Sequence, residues 1–176
     1  LYSETLRMIM ASETFDGTWP FNPNFFDGNG FLQHYVDEGP KEAKPIIMLH
    51  GEPTWGYIYR NFIPELSNKY RIIVPDMMGF GKSETPQGKD YTLKTHVENL
   101  SRLIEFLDLS DITFVGQDWG GPVTGAYSIR NIDKVTGFVL INTLFGYSKE
   151  ERPKNLSPWF QWIKKHYEAE TLDGIL

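Results

Sequence analysis

Hydrophobic and polar positions fall into two rhythms along this chain. Residues 1–20 show little pattern, and Phe15 and Trp19 predict a surface arm pinned to the core. Residues 21–26 and 31–37 flank Asp27-Gly28-Asn29-Gly30, the layout of a β-hairpin. After a charged loop at 39–44, Pro45-Ile46-Ile47-Met48-Leu49 is apolar throughout, which suits a strand buried on both faces of a parallel sheet. A turn-rich loop, 50–55, leads to an expected helix over 57–66 and a second buried strand over 70–74. Thr92 is a good N-cap. Behind it Leu93, Val97, Leu100, Ile104 and Leu107 recur at spacings of four, three, four and three, the stripe of an amphipathic helix. A strand over 112–117, a helix to about 131 and a strand over 135–141 follow. Strand and helix therefore alternate after an antiparallel start. This predicts an α/β fold, a mostly parallel sheet covered by helices on both faces.

From Gly146 the rhythm breaks. Residues 158–170 carry Trp159, Phe160, Trp162, Ile163 and Tyr167 at helical spacing, which predicts a separate amphipathic element laid over the sheet's carboxyl edge. Ligands of open α/β sheets bind beyond that edge. The loops at 50–55, 76–83 and 116–120 all fall there, so one site assembled from all three is expected.

The last of these loops carries the distinctive chemistry. Gly116-Gln117-Asp118-Trp119-Gly120 joins an apolar strand to a small-residue helix, the context of a nucleophile elbow with aspartate in the usual place of serine. A helix N-terminus behind a buried carboxylate favours its ionised, nucleophilic form. The plain alternative makes Asp118 an ordinary helix N-cap. A carboxylate attacking an ester would give an unstable anhydride, which argues against esterase work. Against a saturated carbon bearing a leaving group it gives a stable alkyl ester, which activated water can then cleave.

Composition narrows the field. The 176 residues carry 17 Lys+Arg against 23 Asp+Glu, a net charge of −6, without a basic cluster. Nucleic acid and anionic membrane are therefore unfavoured partners. No stretch approaches the length of a membrane span. There is no cysteine, hence no disulfide framework or thiolate metal site, and no metal or other cofactor is expected. No secretory leader pattern opens the chain, and a cytoplasmic setting is the expectation.

With His50-Gly51-Glu52-Pro53-Thr54-Trp55, Asp76-Met77-Met78-Gly79-Phe80-Gly81-Lys82-Ser83 and Gly116-Gln117-Asp118-Trp119-Gly120-Gly121 in place, the chain resembles the haloalkane dehalogenases, of α/β-hydrolase fold. The resemblance implies a halogenated alkane and water as substrates and halide as a product. It makes Asp118 the nucleophile and the backbone N–H groups of Glu52 and Trp119 the oxyanion hole. His50, Gly51 and Pro53 are then the supporting loop, with His50 bracing the oxyanion turn. The Trp119 indole would be one of two halide donors, against a plain packing role. Glu52 stands where one branch has Asn, so the second donor resembles a cap tryptophan, Trp162 or Trp159, each of which could equally pack cap to core. The Glu52 side chain could orient the hydrolytic water or be an exposed loop carboxylate. Residues 1–147 would be the front part of the hydrolase core and 148–176 the start of a helical cap.

Two departures matter. Asn142 occupies the place where some members carry the catalytic acid. Among the four histidines, His34 is expected at a surface or edge of the hairpin, His50 in the loop, His96 on a helix remote from the elbow and His166 on the cap. None fits the hydrolytic base. The expectation is therefore the front part of a longer enzyme, which alone forms the ester without turning over and exposes an apolar sheet edge. An epoxide hydrolase is the nearest rival, with Tyr147 and Tyr167 as possible acids, and a cofactor-free oxygenase resembling the coelenterazine luciferases is more distant. A non-catalytic binding module is the rival of another class. Oligomeric state is not legible.

Overall fold

The computed structural model describes residues 12–144. Six strands form one sheet: β1 (Asn24–Phe26), β2 (Gln33–Glu38), β3 (Pro45–Leu49), β4 (Arg71–Pro75), β5 (Ile112–Gln117) and β6 (Val135–Ile141), in the order β1-β2-β4-β3-β5-β6. β2 pairs antiparallel with both β1 and β4, whereas the β4–β3, β3–β5 and β5–β6 pairings are parallel. The expected α/β architecture is thus present. Since β3 lies beside β5, the loops that leave their carboxyl ends start as neighbours.

Each face of the sheet has its own core. Period-two alternation sends Ile47, Leu49, Ile73 and Phe114 to one face, where they meet Val97, Leu100, Leu103 and Ile104 of helix α2 (Leu93–Phe106) and Val123 and Tyr127 of α3 (Gly120–Arg130). Met48, Ile72 and Val74 point the other way, against Trp19, Tyr59 and Ile63. The continuous apolar run of β3 is explained by burial on both sides. The arm is pinned as expected by Trp19, which is fully buried 5.0 Å from the Trp55 ring, while Phe15 stays exposed beside it.

Two expectations need correction. The helix anticipated over 57–66 is two pieces, a 3-10 turn at Gly56–Tyr59 and helix α1 (Phe62–Leu66). Pro64 has no N–H to give the carbonyl of Arg60, which sits between them, so the ladder breaks there. On α2, Leu93 is 40% exposed and Leu103 is 1% exposed. Its inward stripe therefore begins at Val97. Thr92 caps the helix as anticipated, its Oγ1 accepting from Thr95 N–H at 3.2 Å.

At the β6 edge, Phe138, Val139, Leu140 and Ile141 are exposed in succession, between 36% and 51%. Both faces of the sheet are therefore open there, the apolar edge that the sequence foretells.

Burial of each of the four α2 side chains is worth roughly 1.5–3 kcal/mol. Leu103→Ala is expected to lower unfolding stability by about 2–5 kcal/mol, and Leu93→Ala by less than about 0.5 kcal/mol. Urea denaturation followed by circular dichroism checks both, and equal losses would show that the inward face is misassigned.

Candidate active site

At the end of β5, Asp118 takes a left-handed backbone conformation with φ +50°. This region is uncommon for a residue with a side chain and costs about 1–3 kcal/mol. The turn it makes brings the start of α3 against β3. A Cβ on Gly120 would lie 2.1 Å from the Leu49 carbonyl oxygen, so only glycine permits that approach. The Asp118 carboxylate does not cap the helix that follows: α3 has no side-chain cap. Its Oδ1 instead accepts the Glu52 N–H at 3.0 Å, across to the loop after β3. The N-cap alternative is thereby excluded.

The geometry of that donor follows from peptide planarity. The Gly51 carbonyl accepts the Thr54 N–H at 3.0 Å and the Thr54 hydroxyl at 2.8 Å, and lies 2.9 Å from His50 Nδ1. In a trans peptide the C=O and N–H point in opposite directions. Fixing the carbonyl of Gly51 therefore aims the N–H of Glu52 at Asp118. On the other side of the same residue, the Gly51 N–H donates to Gln117 Oε1 at 3.1 Å. A Cβ on Gly51 would lie 2.3 Å from the Asp118 Cβ, so glycine is required here too. The Glu52–Pro53 peptide is cis.

His50 is fully buried, and its Nε2 accepts the Met77 N–H at 2.9 Å. The proton must then sit on Nδ1, facing the Gly51 carbonyl. Burial holds the imidazole pKa below its ordinary value, which agrees with a neutral ring linking the loops at 50–55 and 76–83. His50 thus bridges the Gly51 carbonyl and the Met77 backbone.

Sequence reasoning missed the second tie between those loops. Asp76 is completely buried, with Oδ1 accepting Gly56 N–H at 2.8 Å and Oδ2 accepting Lys82 N–H at 2.9 Å. His34 Nδ1 lies 2.8 Å from the same Oδ2. Contrary to expectation, His34 is neither at the surface nor at a free edge. β2 is flanked on both sides, and the ring is 0% exposed. An Asp beginning a Gly-rich loop and a His in an alternating strand carry no local mark of this pairing, because they lie 42 residues apart.

The three loops expected at the site are thus joined by named bonds. Glu52 is half-buried rather than exposed, and its carboxyl pKa is raised, first by burial and then by the negative charge of Asp118. Trp119 is partly buried and packs against the α2 side of the core. Trp159, Trp162, Tyr147, Tyr167, His166 and the expected cap at 148–176 lie outside the described residues. Asn142 is exposed just past β6, also left-handed at φ +41°. A polar cavity of about 210 Å³ lies at the opposite edge, among Lys44, Arg71, Asp108 and Asp111, away from Asp118. Among the described residues no group of three potential metal ligands is gathered, and no helix is long and apolar enough to cross a membrane.

A profile of the alpha/beta hydrolase fold matches residues 44–170. The chain belongs to the α/β-hydrolase family. It is 40% identical over 127 residues to haloalkane dehalogenase 2 of Mycobacterium tuberculosis, covering 72% of this chain and 44% of that one. It is 35% identical over 147 residues to the cis-3-alkyl-4-alkyloxetan-2-one decarboxylase of Shewanella oneidensis, covering 82% and 46%. Among solved structures, the tetrameric haloalkane dehalogenase DpaA of Paraglaciecola agarilytica superposes with a TM-score of 0.73 at 34% identity, over 83% of this chain and 50% of that one. Epoxide hydrolases are also among the similar structures. The chain spans less than half the length of the curated relatives it matches. These matches agree with the resemblance to haloalkane dehalogenases read from the motifs.

Two histidines, His50 fully buried and His96 partly buried, give this α/β-hydrolase a pH signature. Burial, and secondarily the neighbouring His50, push His96 down to about 4, and His50 is also lowered. An unfolded chain binds those protons near pH 6.5 while the folded one does not. Stability is therefore full above about pH 6.5 and is lost progressively as pH falls toward 4. Urea midpoints measured across that window should fall less steeply for His96→Leu than for the parent. Parallel curves would show that His96 is not the group responsible.

Proposed function

We propose that the protein hydrolyses carbon–halogen bonds of small haloalkanes through an alkyl ester of Asp118. The observation that carries this reading is the Glu52 N–H bound to Asp118 Oδ1. A donor held on one carboxylate oxygen differentiates the pair. Oδ2 attacks the saturated carbon, the carbon–halogen bond breaks with its electrons leaving on the halide, and Oδ1 becomes the ester carbonyl oxygen. Water then adds to the carbonyl carbon, negative charge develops on Oδ1, and collapse returns the carboxylate with release of an alcohol and a proton. Glu52 N–H, joined by Trp119 N–H, would hold that charge, and loss of one such donor typically costs roughly 3–4 kcal/mol in the transition state. Aspartate at the elbow favours this chemistry over ester hydrolysis.

The halide needs oriented N–H donors in a dry pocket, and the Trp119 indole beside the nucleophile is our choice for one, with Trp162 or Trp159 as the second. Glu52, half-buried beside Asp118, would hold the hydrolytic water. The base in this scheme does not come from the described histidines. His34 and His50 are committed to Asp76 and to the Gly51 and Met77 backbone, and partial burial on α2 pushes the His96 pKa down to about 4, which makes it a weak base. The core and cap division at 147/148 and a cytoplasmic setting belong to the same proposal.

Incubating the full chain with 1-bromohexane and mapping the product by peptide mass spectrometry tests this directly. The expected result is a hexyl adduct on Asp118 with one bromide released per adduct, absent in Asp118→Ala. Bromide release that survives Asp118→Ala would refute the nucleophile. Diol formation from styrene oxide without bromide release would favour the epoxide hydrolase reading, and no adduct with unchanged ligand binding would favour a binding module.

A further inference from the structure

The aim of a carboxylate on a strained turn depends on ψ as well as φ, and at residue 118 ψ has an anchor of its own. The Asp118 carbonyl accepts the Gly121 N–H at 3.0 Å from within the elbow. Its second lone pair faces the Thr143 hydroxyl at 2.5 Å. That hydroxyl has one proton, and its other acceptor, the Leu144 carbonyl, is distant at 3.3 Å, so the short bond takes it. Two further features serve this contact. Left-handed Asn142, at φ +41°, turns the chain back from the end of β6 toward the elbow. Gly121 leaves the room, since a Cβ there would lie 2.0 Å from the Thr143 oxygen. The backbone link between β6 and the elbow, Asp118 N–H to the Ile141 carbonyl, is long at 3.3 Å. The hydroxyl is therefore the firmer tie.

We propose that Thr143 is a positioning residue for the nucleophile: by donating to the Asp118 carbonyl it sets the backbone of residue 118 and hence the line of attack of its carboxylate. It acts through Asp118 and need not touch substrate. This rests on the reading of Asp118 as nucleophile.

The test uses the full chain and the Asp118 alkylation rate with 1-bromohexane as a function of concentration. Misaiming the attacking oxygen should lower the limiting rate of Thr143→Val by roughly 10- to 100-fold while the half-saturating concentration stays nearly constant. Thr143→Ser, which keeps the hydroxyl, should recover most of the rate. Thr136→Val is the control, since Thr136 bonds the Asp111 and Ile112 carbonyls at the far end of β6, and its rate should equal the parent's. Parent-like alkylation by Thr143→Val, or a serine variant as slow as the valine one, would overturn the proposal. Amide hydrogen exchange separates it from the nucleophile reading. Faster exchange at Trp119 and Gly121 in Thr143→Val, reversed in Thr143→Ser, supports the anchor even if Asp118 is never alkylated, whereas unchanged exchange overturns it. A parent that is not alkylated at Asp118 refutes the nucleophile itself.

Discussion

The site depends on one peptide plane, the one between Gly51 and Glu52. Its carbonyl is turned into the protein by the Thr54 backbone, the Thr54 hydroxyl and His50, which leaves its N–H facing the Asp118 carboxylate. An oxyanion donor is useful only if it is aimed before charge develops, because turning a free amide at the moment of reaction would cost the energy it supplies. In the proposed reaction the Glu52 N–H would be such a donor, and its aim is fixed by covalent planarity and by donors on the far side of the plane. Glycine at 51 is what lets the plane come this close to Asp118.

The strain at Asp118 persists because several strands converge on it. β3 contributes the Leu49 carbonyl that Gly120 skirts, β5 ends in the turn itself, and β6 supplies the Ile141 carbonyl to the Asp118 N–H. Beneath the loops, the buried Asp76 side chain performs a similar service. A carboxylate removed from water is costly unless its lone pairs are filled, and Gly56, Lys82 and His34 fill them from three separate segments. The chemistry thus sits on loops, but the loops are tied to a sheet with a core on each face.

Much of this was legible in the residues. The limits of β3 and β6 follow from runs of apolar side chains bounded by turn formers, and Thr92 marks the start of α2. The elbow was readable because its glycines, its aspartate and the strand before it form one local pattern. What escaped is long-range or sits at a boundary. Pro64 breaks a helix that side-chain pattern alone continues. Leu93 has the right spacing for the α2 stripe yet stands in its first turn, before the helix meets the sheet. The pairing of His34 with Asp76 and the reach of Thr143 to Asp118 are products of strand order, which no window of sequence contains.

The most direct measurement of the central claim is a single round of reaction of the protein with 1-bromohexane in water enriched in oxygen-18, with protein in excess. If Asp118 carries the alkyl group, the first hexanol formed contains ordinary oxygen from its carboxylate, and the heavy isotope appears in the peptide bearing Asp118. Heavy oxygen in the first hexanol, with an unlabelled Asp118, would mean that water attacks the substrate directly and would contradict the account.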